Sequence, residues 1–219
     1  MTANRQGAPN QAYQFDGVDD AITLPEVPGF ESNSHTLSAW MFIPTQHTNA
    51  EILGKDGEDA GERQWVMETK VNGKVIGAIW TTDGIHQLTS NKTLNVGQWT
   101  HVVQIWTGTT LSLYLNGVLD SSLVTSGSLS PGSQPVRIGG GAPSGAPFHF
   151  TGNLDEIRIY NRPLSEQEIS QLHLLEAPPA LVTSPTSQSV FPGSNVALAV
   201  SATGPDLQYQ WLRNGTVIP

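Results

Sequence analysis

Three aspartates fall within five residues in Asp16-Gly-Val-Asp19-Asp20, and a fourth, Asp155, lies in a late run that reads as a strand. Carboxylate and carbonyl oxygens are the hard donors that Ca²⁺ takes, roughly six to eight of them at about 2.3–2.6 Å. The competing reading makes Asp16 the head of an Asx-turn, Asp19 and Asp20 turn residues, and Asp155 a solvated strand residue. A second acidic run, Gly54-Lys-Asp-Gly-Glu-Asp-Ala-Gly-Glu-Arg63, could offer Asp56, Glu58, Asp59 and Glu62 to a cation. Runs of this kind are more often solvated loop tips.

Six Trp and four Tyr point to a different chemistry. Aromatic faces stack on the C–H faces of sugars while polar neighbours hold the hydroxyls. Trp65, Trp80 and Trp106 lie among polar residues and are expected to reach solvent. Strand alternation puts Trp65 with Met67, Val66 with Glu68, and Ile76 with Ala78 and Trp80. Thr81-Thr-Asp-Gly84 ends the last of these strands at once, which places Trp80 near a sheet rim. Gln64, Asp83, His86 and Gln87 would then supply hydrogen bonds. The ligand-binding candidates are Trp65, Trp80, Asp83 and His86; the competing reading is that the rings are core filler.

Stepping from these residues to the elements that must hold them, the chain reads as β-rich. Only 13% of its 219 residues are charged, while 22 Gly and 15 Pro supply turns. Helical bundles use far more Ala, Glu, Lys and Leu. Ten basic residues against 19 acidic ones give a net charge of -9 with no basic stripe, so a nucleic-acid partner is excluded. No apolar run approaches the roughly 20 residues that span a bilayer, and Met1-Thr-Ala-Asn-Arg-Gln-Gly7 does not read as a signal peptide. The absence of Cys removes disulfides, thiolate nucleophiles and Cys-based zinc sites. Strands are expected over 12–24 (two, around an acidic turn), 36–43, 64–71, 74–82, 99–107, 111–115, 118–124, 135–139 and 153–160. Asn72-Gly73 and Asn116-Gly117 read as hairpin turns in which both residues take positive φ. About ten strands at this spacing mean a sandwich or jelly roll. Ser165-Glu-Gln-Glu168 is a capping box that opens one helix carrying Ile169 and Leu172. Glu176-Ala-Pro-Pro-Ala180 reads as a stiff linker, so the expected domains are 1–177 and 178–219.

The first 175 residues resemble the laminin-G-like, concanavalin A-like jelly rolls of secreted bacterial proteins. Phe15-Asp-Gly-Val-Asp-Asp20 is similar to the opening motif and Thr36-Leu-Ser-Ala-Trp40 to an early core strand. Trp99-Thr-His-Val-Val103 and Leu111-Ser-Leu-Tyr-Leu-Asn-Gly117 resemble the central hairpin. Gly152-Asn-Leu-Asp-Glu-Ile-Arg-Ile-Tyr-Asn161, followed by Leu164-Ser-Glu166, resembles the closing strand and short helix. The resemblance implies that the first and last strands lie side by side and that Asp16 and Asp155 share a Ca²⁺ site. Backbone oxygens of Gly17 or Asp155 would help, with Asp19 a further candidate. It also implies packing roles for Trp40 and Trp99. The tail resembles the first half of a bacterial immunoglobulin-like domain, with Trp211 as the core Trp and Val200 where a Cys is usual. That half-domain reads as truncated.

The same superfold hosts glucanases that use Glu-x-Asp-x-x-Glu on one strand, a string this chain lacks. HExxH and G-x-S-x-G are absent too. The expectation is therefore an all-β concanavalin A-like jelly roll of two antiparallel sheets with one short C-terminal helix, plus a partial immunoglobulin-like sandwich. Its expected role is non-catalytic, a calcium-stabilised carbohydrate-binding or adhesion module of a larger secreted or cell-surface protein. Its partners would be a glycan or an extracellular protein and neighbouring domains of a longer chain, with no nucleic acid and no membrane insertion. The alternatives are a structural or protein-protein interaction spacer and, more remotely, a glycoside hydrolase.

Overall fold

Apolar residues alternating at a period of two give a sheet one apolar face that must be covered, and twelve strands meet that need by stacking two sheets. The computed structural model describes residues 1–25, 33–46, 48–57, 62–141, 148–177, 179–204 and 207–218. The strands are β1 (Tyr13–Asp16), β2 (Ile22–Leu24), β3 (His35–Phe42), β4 (Ala50–Lys55), β5 (Trp65–Thr69) and β6 (Val75–Thr81). They continue with β7 (Gly84–Thr89), β8 (Trp99–Trp106), β9 (Thr110–Leu115), β10 (Val118–Val124), β11 (Val136–Ile138) and β12 (Thr151–Tyr160). One six-stranded sheet runs β1-β12-β3-β8-β9-β10 and the other β2-β11-β4-β5-β6-β7. Their strand pairings are antiparallel. First and last strands of the jelly roll are neighbours, Asp16 standing opposite Thr151.

The core lies between the sheets. Leu37, Ala39 and Met41 of β3 face Trp65, Met67, Val75 and Ile79 of the other sheet in one buried cluster. On the far side of β3 and β8, Val103, Ile105 and Tyr114 are covered by Leu164, which precedes α1 (Glu166–Glu176), and by Ile169 of α1 itself. The capping box forms: the Ser165 N–H donates to Glu168 Oε2 at 2.8 Å, and the Glu168 N–H donates back to Ser165 Oγ at 3.3 Å.

Three expectations need correction. β4 and β7 escape an alternation reading. β4 is buried along its whole length, and its register shifts between Glu51 and Leu53, which breaks the period. At Asn116-Gly117 both residues take positive φ, but at Asn72-Gly73 only the glycine does. There the Asn72 side chain caps the turn instead, accepting the Lys74 N–H. In the second of the two compact units, Met1–His173 and Leu174–Pro219, the four strands are short pairs. They are β13 (Ala180–Thr183) with β14 (Ser201–Thr203), and β15 (Leu212–Arg213) with β16 (Thr216–Val217). Trp211 is 37% exposed rather than a core ring. So short a segment has no second sheet to bury it.

Candidate functional site

The outer face of the second sheet is open. β5 presents Val66 and Glu68 on it, β6 presents Ile76, Ala78 and Trp80, and β7 presents Ile85 and Gln87. β4 adds Glu51, directly opposite Glu68 in the register. Asp56 and Arg63, from the segment joining β4 to β5, close one side of a cavity of about 350 Å³. Trp80 is half-buried, with the Arg63 guanidinium carbon 5.7 Å from its ring centre. Lys70 forms an ion pair with Glu68. The result is two aromatic rings, Trp80 and Phe148, among charged and amide groups, the composition of a site for a polar ligand with apolar patches.

Glu51 sits at the floor, 3% exposed. Its carboxyl occupies the space above Gly54, where any Cβ would lie 2.5 Å from Oε1. Burial pushes Glu51 well above the usual carboxylate range, and the Asp56 and Glu68 charges and a hydrogen bond to Asp56 push the same way against Arg137. Asp56 is raised as well, chiefly by burial, while its bond to Glu51 and the charges of Arg63 and Arg137 oppose the rise. Arg137 also donates to the Asp56 carbonyl at 2.9 Å.

Of the sequence candidates, Trp80 and Gln87 line this cavity, together with Asp56 of the acidic run. Trp65 is a correction: it is 1% exposed and points into the core, 5.6 Å from the His35 ring. The register explains it, since Trp65 pairs with core residue Ile79. Trp106 is likewise buried, donating to Thr125 Oγ1 at 3.1 Å. His86 stands opposite Ile79, not Trp80, so alternation sends it to the other side of the sheet. There its Nε2 meets Thr81 Oγ1 and the Ser126 carbonyl, both at 3.1 Å. Asp83 lies in the exposed β6–β7 turn, outside the cavity lining. Gln64 is buried and donates to the Ser130 carbonyl. Glu51 and Asp56 are the residues sequence reasoning missed as a pair. The bulge in β4 hid the first, and the second was read as one of an acidic loop whose Glu58 and Asp59 lie outside the described residues.

The metal candidates separate. Asp16, Asp19 and Asp20 are exposed, and their carboxylates converge to within 4.8 Å of one another. Asp16 Oδ1 accepts the Val18 N–H at 2.8 Å, and Asp20 Oδ2 accepts the Asp16 N–H at 2.9 Å. Gly17 has φ +81° and passes so close to Thr151 Oγ1 that a Cβ would collide. Asp155 does not join them, which corrects the expected pair. Thr151 is opposite Asp16, and Asp155 lies four residues further along β12, about 13 Å at ~3.3 Å per residue. It is 6% exposed and bonded to Arg5 Nη1 at 2.5 Å and to the Glu156 N–H at 2.9 Å.

With two six-stranded sheets closed by adjacent first and last strands, and an outer face open on one of them, the fold is that of a concanavalin A-like jelly roll. Residues 16–170 match the family model described as the concanavalin A-like lectin/glucanases superfamily, of laminin-G type, and the chain belongs to that family. Among solved structures, the binding domain of Paraclostridial Mosquitocidal Protein 1 is similar at 15% identity and a TM-score of 0.64 over 84% of this chain. This chain spans about half that structure's length (49%). The Ruminococcus gnavus IT-sialidase CBM40 bound to α2,3-sialyllactose is similar at 16% identity, TM-score 0.64, over 75% of this chain and 97% of that one. Domain 4 of AbnA, an extracellular arabinanase from Geobacillus stearothermophilus, in complex with arabinotriose, is similar at 21% identity, TM-score 0.58, over 74% and 76%.

Proposed function

We propose that residues 1–177 form a non-catalytic carbohydrate-binding module of a secreted or cell-surface protein, using the open face of the second sheet. The observation that carries this reading is half-buried Trp80 in an open cavity bordered by Arg63, Glu68 and Gln87. A pyranose or furanose stacked on the indole would meet donors and acceptors at its edge. Two of the structural relatives hold saccharides, which agrees with this use of the fold. A non-catalytic role is supported by the state of the two facing carboxyls. Glu68 is neutralised by Lys70, and Glu51 is bonded to Asp56 below the cavity, so neither stands free as nucleophile or acid. Among the described residues, no helix is long and apolar enough to cross a membrane.

Calcium is part of the proposal through Asp16, Asp19 and Asp20, whose converging oxygens suit a hard cation; the Gly17 carbonyl is a further donor. Bound there, the ion would pin the β1–β2 turn. The test of the binding reading is titration calorimetry against a glycan panel, with and without Trp80→Ala. Loss of heat in the variant with an unchanged melting temperature supports it. A panel with no binder turns the reading toward a structural or protein-binding spacer.

A further inference from the structure

A net charge of -9 repels an anion over most of this surface, so a cavity with no carboxylate in its wall stands out. One such cavity, of about 220 Å³, opens at an end of the sandwich. It lies between residues 90–98, which join β7 to β8, and the Asn116-Gly117 turn, which joins β9 to β10. Buried Leu94 and Leu115 give it an apolar floor. Half-buried Trp99 makes one wall, its ring centre 5.6 Å from that of Phe42. Lys92, Asn95, Gln98 and Asn116 form an exposed rim, and among the described residues no Asp or Glu lines the space.

The rim is rich in donors whose direction is settled. Asn116 Oδ1 accepts the His101 N–H at 2.9 Å, which fixes the orientation of the amide and leaves its NH₂ to a ligand. Lys92 has no ion pair among the described residues. Asn95 and Gln98 bond to each other at 3.2 Å, and either way round the pair keeps further N–H groups free. The segment carrying three of these side chains is held from behind. The Leu94 and Gly97 N–H groups donate to the Gly73 and Ile43 carbonyls, both at 2.8 Å. Asp120 spends both its oxygens on the Asn91 and Lys92 N–H groups. A rim fixed before the ligand arrives loses little entropy on binding.

We infer that this cavity is a second binding site, for the carboxylate-bearing ring of an acidic saccharide. It is separate from the open face and stands whether or not that face binds sugar. The carboxylate accepts from the Asn116 amide and the Lys92 ammonium, and such charge-assisted bonds are the strong ones. The ring covers Leu94 and Leu115, and its hydroxyls meet Asn95 and Gln98. A neutral sugar forfeits the charge assistance, and an ammonium group would meet Lys92 and N–H groups that cannot accept from it.

The experiment is titration calorimetry of the full chain with trigalacturonate and with its carboxyl-reduced, neutral counterpart. The variants are Lys92→Gln, Asn116→Asp and Trp80→Ala, each with its melting curve. Trigalacturonate should bind at least about tenfold tighter than the reduced trimer, and more weakly as salt is added. Asn116→Asp keeps the oxygen that accepts the His101 N–H but turns the free donor into an anion, so it should lose about tenfold or more at an unchanged melting temperature. Lys92→Gln should lose about fivefold, and Trp80→Ala should bind trigalacturonate within a few-fold of the parent. Equal or tighter binding of the reduced trimer overturns the inference. So does trigalacturonate binding that is lost in Trp80→Ala yet indifferent to Asn116→Asp and Lys92→Gln, which assigns the anion to the open face. No binding of trigalacturonate overturns it too and leaves the open face untouched.

Discussion

The two sheets share one core and treat their outer faces in opposite ways. On the first sheet the outer face is closed. Trp40, His101 and His173 stack there, with ring centres 5.1–5.7 Å apart and planes within 22° of parallel. Arg5 lies over Trp40 at 5.4 Å and ties to Asp155. Ser38 Oγ meets His101 Nε2 at 2.9 Å. On the second sheet the outer face is open, and its single Trp is left half-buried among charges. An aromatic ring with a lid adds to stability, while one without a lid is available to a ligand. The same residue type thus serves packing on one face and recognition on the other.

The comparison is tested most severely at the two tryptophans. Trp40→Ala should cost about 3–5 kcal/mol, the usual loss for a fully buried Trp, measured by denaturant unfolding. Trp80→Ala should cost under about 1 kcal/mol on the same curve, in keeping with a surface substitution, and should abolish the heats of glycans bound on the open face. Equal stability losses at both would erase the distinction between the faces.

Next in size is the response to pH, which runs in opposite directions on the two faces. Burial depresses His101 from 6.5 to about 3, with the His173, Arg158 and Arg5 charges adding. Burial takes core residue His35 to about 3 as well. In that window the unfolded chain holds more protons, so stability present above pH 6.5 drains away as the pH falls toward 3. Glu51 is shifted up, so there the folded chain holds the extra proton, and stability drains as pH rises from 4.5 toward its raised value. Denaturant midpoints across pH should show both limbs. His101→Gln should reduce the acid limb only, by an amount on the order of a few kcal/mol, leaving the share of His35, and Glu51→Gln should reduce the alkaline limb only.

The smallest expected effect lies outside both faces, at the acidic turn. If Ca²⁺ binds Asp16, Asp19 and Asp20, chelation should lower the melting temperature by a few degrees, since a ligand of the native state stabilises by mass action. Asp16→Ala should remove that response, whereas Asp155→Ala should lower stability with or without chelator because it removes the closest ion-pair partner of buried Arg5. An Asp155→Ala variant that loses only its chelator response would restore the pairing of Asp16 with Asp155.

Much of the architecture was legible in the residues. Asn116-Gly117, the Ser165–Glu168 box and the alternation in β5 and β6 are local signals, set by backbone sterics and by which side chains shun water. Trp80 was placed near a rim for a sound local reason, the turn that follows it. The failures share a cause. Alternation states that Trp65 and Met67 share a face but not which face is inside, because that depends on the sheet stacked opposite. It was equally silent on the company of His86, which the register set opposite Ile79. Asp155 kept its neighbouring strand but not its partner, because a register offset of four residues is invisible in one sequence.

Composition, turn chemistry and period by themselves determined an acidic, disulfide-free, antiparallel β-sandwich with one capped helix, since each follows from interactions within a few residues. The tertiary structure alone decided which tryptophan met solvent and which carboxylates met each other. Glu51, Asp56 and Glu68 come from β4, the segment after it and β5, and only the bulge in β4 and the pairing of β4 with β5 turn them onto one face. Long-range pairing and the covering of one sheet by a helix are properties of the packed whole, and no local stretch of chain encodes them.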